Sequence, residues 1–90
     1  MELEEKYKNL KELLDMEKFP KPFLFKFIIL SDEIKKKEVI SCFDTKAEIK
    51  FNHSKTNKYT TINIMETMAS SQAIIDRYLA VSKIKNVIHL

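Results

Sequence analysis

Over residues 22–30, Phe23, Phe25, Phe27 and Ile29 fall on one parity, and Leu24, Lys26, Ile28 and Leu30 on the other. In an extended chain each set shares one face. Aromatic and β-branched side chains suit a pleated, half-buried surface. Pro20 and Pro22, just upstream, stop a helix and bias the preceding residues towards extended geometry. The run therefore reads as a strand whose phenylalanines meet the core and whose Lys26 face is only partly covered. It is far shorter than the roughly 20 apolar residues of a membrane-spanning helix, so no membrane role is expected.

The remaining pattern lays elements around this strand. Residues 2–15 place Leu3, Tyr7, Leu10 and Leu14 on one helical stripe, with Leu13 beside it. Such a helix is marginal alone and needs something to pack on. The expected platform is the domain's own sheet, with a partner or self-association surface as the other use. A second helix is expected from an N-cap at Ser31 to about Phe43, with Asp32 and Glu33 in its first turn and Ile34, Val39, Ile40 and Phe43 inward. Residues 45–52 alternate, with Ala47, Ile49 and Phe51 opposite Lys46, Glu48 and Lys50. That charged outer row suits a sheet edge. A polar turn over 53–58 leads into a third strand over 59–66, with Ile62 and Ile64 inward, which completes a hairpin. Ser70 would cap a helix to about Ser82 that presents Ile74, Ile75, Tyr78, Leu79 and Val81 to the sheet. Residues 86–90 form a short last strand.

This βαββαβ order, with right-handed crossovers, predicts an α+β, ferredoxin-like fold. Four antiparallel strands carry two helices on one face, the first strand lies inside the sheet, and an N-terminal helix is added. The expected division is an amphipathic helix with a proline-rich lead-in over 1–18 and the ferredoxin-like domain over 19–90.

Composition narrows the function classes. In 90 residues the chain has no glycine, one cysteine, and a net charge of +3 from 16 basic and 13 acidic residues. Without glycine, glycine-rich phosphate loops of the Walker and dinucleotide-binding types are excluded, and positive-φ turns fall to Asn, Asp or His. The single cysteine and the acidic, amphipathic start suggest a reducing, cytoplasmic setting. The dispersed charge, including the fanned Lys35, Lys36 and Lys37, reads as a solvated surface and not as a nucleic-acid footprint.

The segment Leu10-Lys11-Glu12-Leu13-Leu14-Asp15, then Phe19-Pro20-Lys21-Pro22-Phe23 and Lys26, resembles the opening of the YbeD-like proteins, small bacterial proteins of unassigned function. Ser54-Lys55-Thr56-Asn57-Lys58-Tyr59 is similar to that family's Ser-Lys-Gly-Asn turn, with Thr56 at the glycine position. The resemblance implies a ferredoxin-like fold akin to ACT-type regulatory domains, and it implies no catalytic residues.

Reactive side chains are sparse. Cys42 is expected near a helix C-terminus, the wrong end to activate a thiol. His53 falls in a turn and His89 on the last strand, and their spacing with Cys42 makes no metal site. No enzyme activity, catalytic residue, metal or cofactor is expected. The chain reads as a regulatory or protein-interaction module, its partner another protein or itself. The candidate surface is Leu24, Lys26 and Ile28 on the sheet, together with Leu3, Tyr7, Leu10 and Leu14 on the first helix, which could also cover the Lys26 face. The alternative is an ACT-like domain sensing a small ligand such as an amino acid. RNA binding ranks below both, because the first strand's aromatics face the core.

Overall fold

In the computed structural model, residues 2–89 are described, with side chains from residue 7 onward. The order is α1 (Glu2–Leu14), β1 (Lys21–Leu30), α2 (Glu33–Ile40), β2 (Glu48–His53), β3 (Tyr59–Met68), α3 (Ser71–Ser82) and β4 (Ile88–His89). The strands form one antiparallel sheet in the order β2-β3-β1-β4, the ferredoxin-like arrangement with β1 inside.

Parity governs the core. Phe25, Phe27, Ile29, Ile62 and Ile64 are at most 1% exposed and meet Val39 of α2 and Ile74 and Val81 of α3. The rings interlock: Phe25 lies edge-on to Tyr78 at 5.3 Å and to Phe43 at 4.9 Å. Aromatic pairs favour such tilted geometry. The Ser70 side chain caps α3 by accepting from the Ala73 N–H, and Ile74, Ile75, Tyr78 and Val81 are buried beneath it. Both positive-φ residues among those described are asparagines, Asn57 (φ 58°) and Asn86 (φ 62°). The Phe19–Pro20 peptide is cis.

Several boundaries differ from the sequence expectation, each for a local reason. Asp32, not Ser31, caps α2, its carboxylate accepting from the Ile34 N–H. The Ser31 hydroxyl instead bonds Thr60 Oγ1 at 2.8 Å. The helix stops at Ile40, where Cys42 N–H bonds Val39 C=O and Phe43 N–H bonds Ile40 C=O. These tighter i→i+3 bonds turn the chain and bring Phe43 into the core. In so short a helix Ile34 faces solvent, 72% exposed, and is not an inner residue. The second strand starts at Glu48 because Asp44 holds a turn, its carboxylate accepting from the Lys46 N–H and its carbonyl from the Ala47 N–H. The third strand runs on to Met68, which pairs with Lys21. The last strand is reduced to Ile88–His89 after the left-handed Asn86, and Leu90 lies outside the described residues.

The first helix does not cover the Lys26 face. It joins the helix layer beside α3, where Tyr7 stacks on Tyr78 at 5.6 Å, and Tyr7 and Leu14 enter the core with Leu10 packed against them. Asp15, just past α1, accepts a hydrogen bond from the Ser71 hydroxyl at the start of α3. The Phe23 ring lies 6.4 Å from Tyr78. The stripe found the apolar surface nearest its chain connection, on the side already occupied by helices.

Candidate functional site

The sheet's second face carries no element among the described residues. Register aligns its side chains in rows across the strands. Lys50, Asn63 and Lys26 form the middle row. Glu48, Met65 and Leu24 lie on one side of it, and Asn52, Thr61, Ile28 and Ile88 on the other. Tyr59 and Leu30 close the far end. Leu24, Leu30, Tyr59, Met65 and Ile88 are between 38% and 54% exposed, though each lies on a strand of the fold's only sheet among the described residues.

The face is shallowly concave. A depression of about 370 Å³ is lined by Leu24, Lys26, Glu48, Lys50, Asn52, Asn63 and Met65. A second, of about 420 Å³, lies towards Tyr59, Ile28 and Ile88. The Lys58 ammonium sits 5.5 Å over the Tyr59 ring and adds a cation at that rim. The face thus joins aliphatic surface to lysines, a combination that suits apolar and anionic groups presented together.

Of the sequence-derived candidates, Leu24, Lys26 and Ile28 meet on this face. Tyr7 and Leu14 do not join them: each is 7% exposed, so they form part of the core and not a free surface. Leu10 is half-buried against that core, and the side chain of Leu3 lies outside the described residues.

The reactive side chains are scattered. Cys42 is half-buried just beyond α2, its thiol 3.6 Å from the Glu38 carbonyl. Burial raises its pKa, while the nearby Arg77 charge pulls it back. A thiol raised in this way is poorly ionised and a weak nucleophile. His53 ends β2, with Nδ1 3.1 Å from Thr60 Oγ1. His89 packs edge-on against Phe27 at 5.1 Å, on the helix side of the sheet. Among the described residues no three His, Cys, Asp or Glu side chains gather as metal ligands, and no helix is long and apolar enough to cross a membrane.

One pair was missed. Glu66 accepts from Arg77 at 2.7 Å, and Arg77 also donates to the Cys42 carbonyl at 3.2 Å while lying 5.6 Å over the Phe43 ring. The clue was parity: Glu66 shares the inward face with Ile62 and Ile64, and a half-buried acid needs a cation. The pair ties β3, α3 and the turn after α2 together.

Residues 15–90 match the model of a family described as a protein of unknown function, DUF493. The chain belongs to that family. The match begins at Asp15, directly after α1. No curated protein and no solved structure matches the chain.

Proposed function

We propose that this chain is a non-enzymatic protein-interaction module, receiving on its open sheet face a partner protein that presents acidic and apolar side chains together. The carrying observation is the uncovered face itself, with Leu24, Leu30, Tyr59, Met65 and Ile88 exposed around Lys26 and Lys50. Solvent-exposed apolar area of this kind, rimmed by polar groups, is typical of binding sites. Charge selects the occupant. A second copy laid face to face would set the Lys26 and Lys50 row against its own like charges, which is unfavourable. An acidic partner meets them favourably and is steered towards them. The YbeD-like resemblance at residues 19–23 and 54–59 supports a regulatory role for such docking, and the single cysteine supports a cytoplasmic setting.

The test compares wild type with a Lys26→Glu, Lys50→Glu double variant as bait in extract of the native cell. Mass spectrometry identifies the retained proteins, and circular dichroism confirms an unchanged fold. The expected result is an acidic protein held by wild type and lost by the variant. Identical retention by both baits, or a concentration-dependent dimer of wild type that this variant abolishes, overturns the proposal.

A further inference from the structure

The open face is a trough along β3, and its two banks differ. The depression there is banked by Leu24 and Lys26 of β1 and by Glu48 and Lys50 of β2, with Asn63 and Met65 between them. Register extends it by a further row, in which Asn52, Thr61 and Ile28 align. From Leu24 to Ile28 the strand advances about 14 Å. With β3 lying between β2 and β1, the banks stand two strand spacings apart, about 9–10 Å. Lys26 and Lys50 face each other across the middle row. Both are exposed, and among the described residues neither makes an ion pair.

Backbone chemistry selects the conformation of the occupant. β3 is paired along its whole length with β1, and from Thr60 to Met65 with β2. The trough therefore offers side chains and no free backbone N–H or C=O. An extended segment laid in it would leave its own backbone groups unmatched, whereas a helix satisfies them internally. A helix with its side chains is about 10–12 Å across, and about nine residues of it cover the length of the trough.

We infer that the trough receives a single amphipathic helix of the partner protein, lying along β3, with two acidic residues astride one central residue and apolar residues four positions before and after it. This rests on the reading of the open face as a protein-docking surface, and it specifies what docks there. At about 100° per residue, the neighbours of a floor-facing residue project to opposite flanks. Lys26 and Lys50 stand on those flanks. The residues four before and four after return to the floor, one at Met65 and Leu24, the other at Thr61 and Ile28. The central residue meets the half-buried Asn63, so a hydrogen-bonding side chain suits it. Glu48 sets the direction, because a helix N-terminus is favoured beside an acid. The helix therefore runs from the Met65 row to the Thr61 row. A second copy does not supply this occupant: α1 turns its stripe into its own core, and neither α2 nor α3 has two acids separated by one residue.

The experiment is an NMR titration of the full chain with a blocked synthetic peptide. It carries leucine, glutamate, glutamine, glutamate and leucine at the five specified positions among alanines, and a side-chain lactam on its outer face holds it helical. One control has lysines for the glutamates. The other is an unstapled isomer in which the glutamates and leucines alternate. The acidic helix shifts the Met65 methyl and the Asn63 side-chain amide and leaves the Tyr78 ring unmoved. A spin label on its N-terminus broadens Met65 more than Thr61, and one on its C-terminus does the reverse. The Lys26→Glu, Lys50→Glu variant loses these shifts and gives them with the lysine helix instead, a gain that requires a folded face. Equal response to the acidic and lysine helices, shifts confined to α1 and α3, or label effects in the opposite order overturn the inference. So does an isomer that binds as well as the helix, an outcome that keeps the face as a docking surface and rejects the helix. An absence of shifts with every peptide also overturns it, and retention of an acidic protein from extract then upholds the docking face alone. Shifts of the free wild type on dilution assign the trough to a second copy and overturn both readings.

Discussion

The two faces of one sheet differ more than their sequences do. Both carry large apolar residues from β1 and β3. On the helix side Phe25, Phe27, Ile62 and Ile64 are sealed by α2, α3 and the added α1. On the other side Leu24, Ile28 and Met65 share rows with Lys26, Lys50, Asn63 and Thr61 and keep much of their area in water. Polar residues interleaved across strands, not merely along them, mark a face that stays open. Even the amphipathic helix available to cover that face went to the helix layer, where a continuous apolar surface offered more burial.

The largest expected effect breaks this contrast at its strongest point. Phe27→Ala removes a fully buried ring and is expected to cost about 3–5 kcal/mol of unfolding free energy, measured by urea denaturation. Glu66→Ala is expected to cost about 1–3 kcal/mol, since it strands a half-buried Arg77 guanidinium. A Glu66→Gln, Arg77→Met pair should recover part of that loss, because neither side chain then carries a charge.

The helix side also makes a prediction about alkaline pH. Burial raises the pKa of Tyr7 and Tyr78, with the Tyr7 charge adding to the rise at Tyr78. The unfolded chain then ionises first, near the ordinary tyrosine value of about 10. Stability from these groups is complete below that pH and is lost as pH rises through the higher folded values. Urea midpoints should fall above about pH 10, and a Tyr7→Phe, Tyr78→Phe variant should fall less. The smallest effect belongs to the open face: Leu24→Ala or Met65→Ala should change stability by no more than about 0.5–1 kcal/mol, as exposed substitutions do. A loss at Leu24 as large as at Phe27 would mean that the open face is covered after all.

Period-2 alternation made the strands and the inner face readable directly from the chain, because a one-residue slip would have turned every phenylalanine outward, and the βαββαβ succession with right-handed crossovers supplied the sheet order. Ser70 and the Ile74, Tyr78 and Val81 stripe specified α3 for similar reasons: a cap and a helical period agree there. What was not legible depended on contacts between segments distant in sequence. Whether Asp32 or Ser31 caps α2 turned on Thr60, twenty-nine residues after Ser31, offering the serine hydroxyl another partner. The resting place of α1 turned on Tyr78, far along the chain. Of the candidate surface, the sheet half could be read from parity. The helix half could not, because an amphipathic stripe states that it will be buried without stating against what. His89 shows the same limit, since its packing on Phe27 means that an alanine there should disturb the core as well as test chemistry.

Among the described residues the two left-handed turns rest on Asn57 and Asn86, in a sequence without a single glycine. Glycine enlarges the set of conformations open to a denatured chain more than any other residue. This polypeptide therefore begins from a narrower random ensemble and surrenders less disorder on ordering. A domain with one face left wet can remain folded on a modest core partly because its denatured competitor is impoverished.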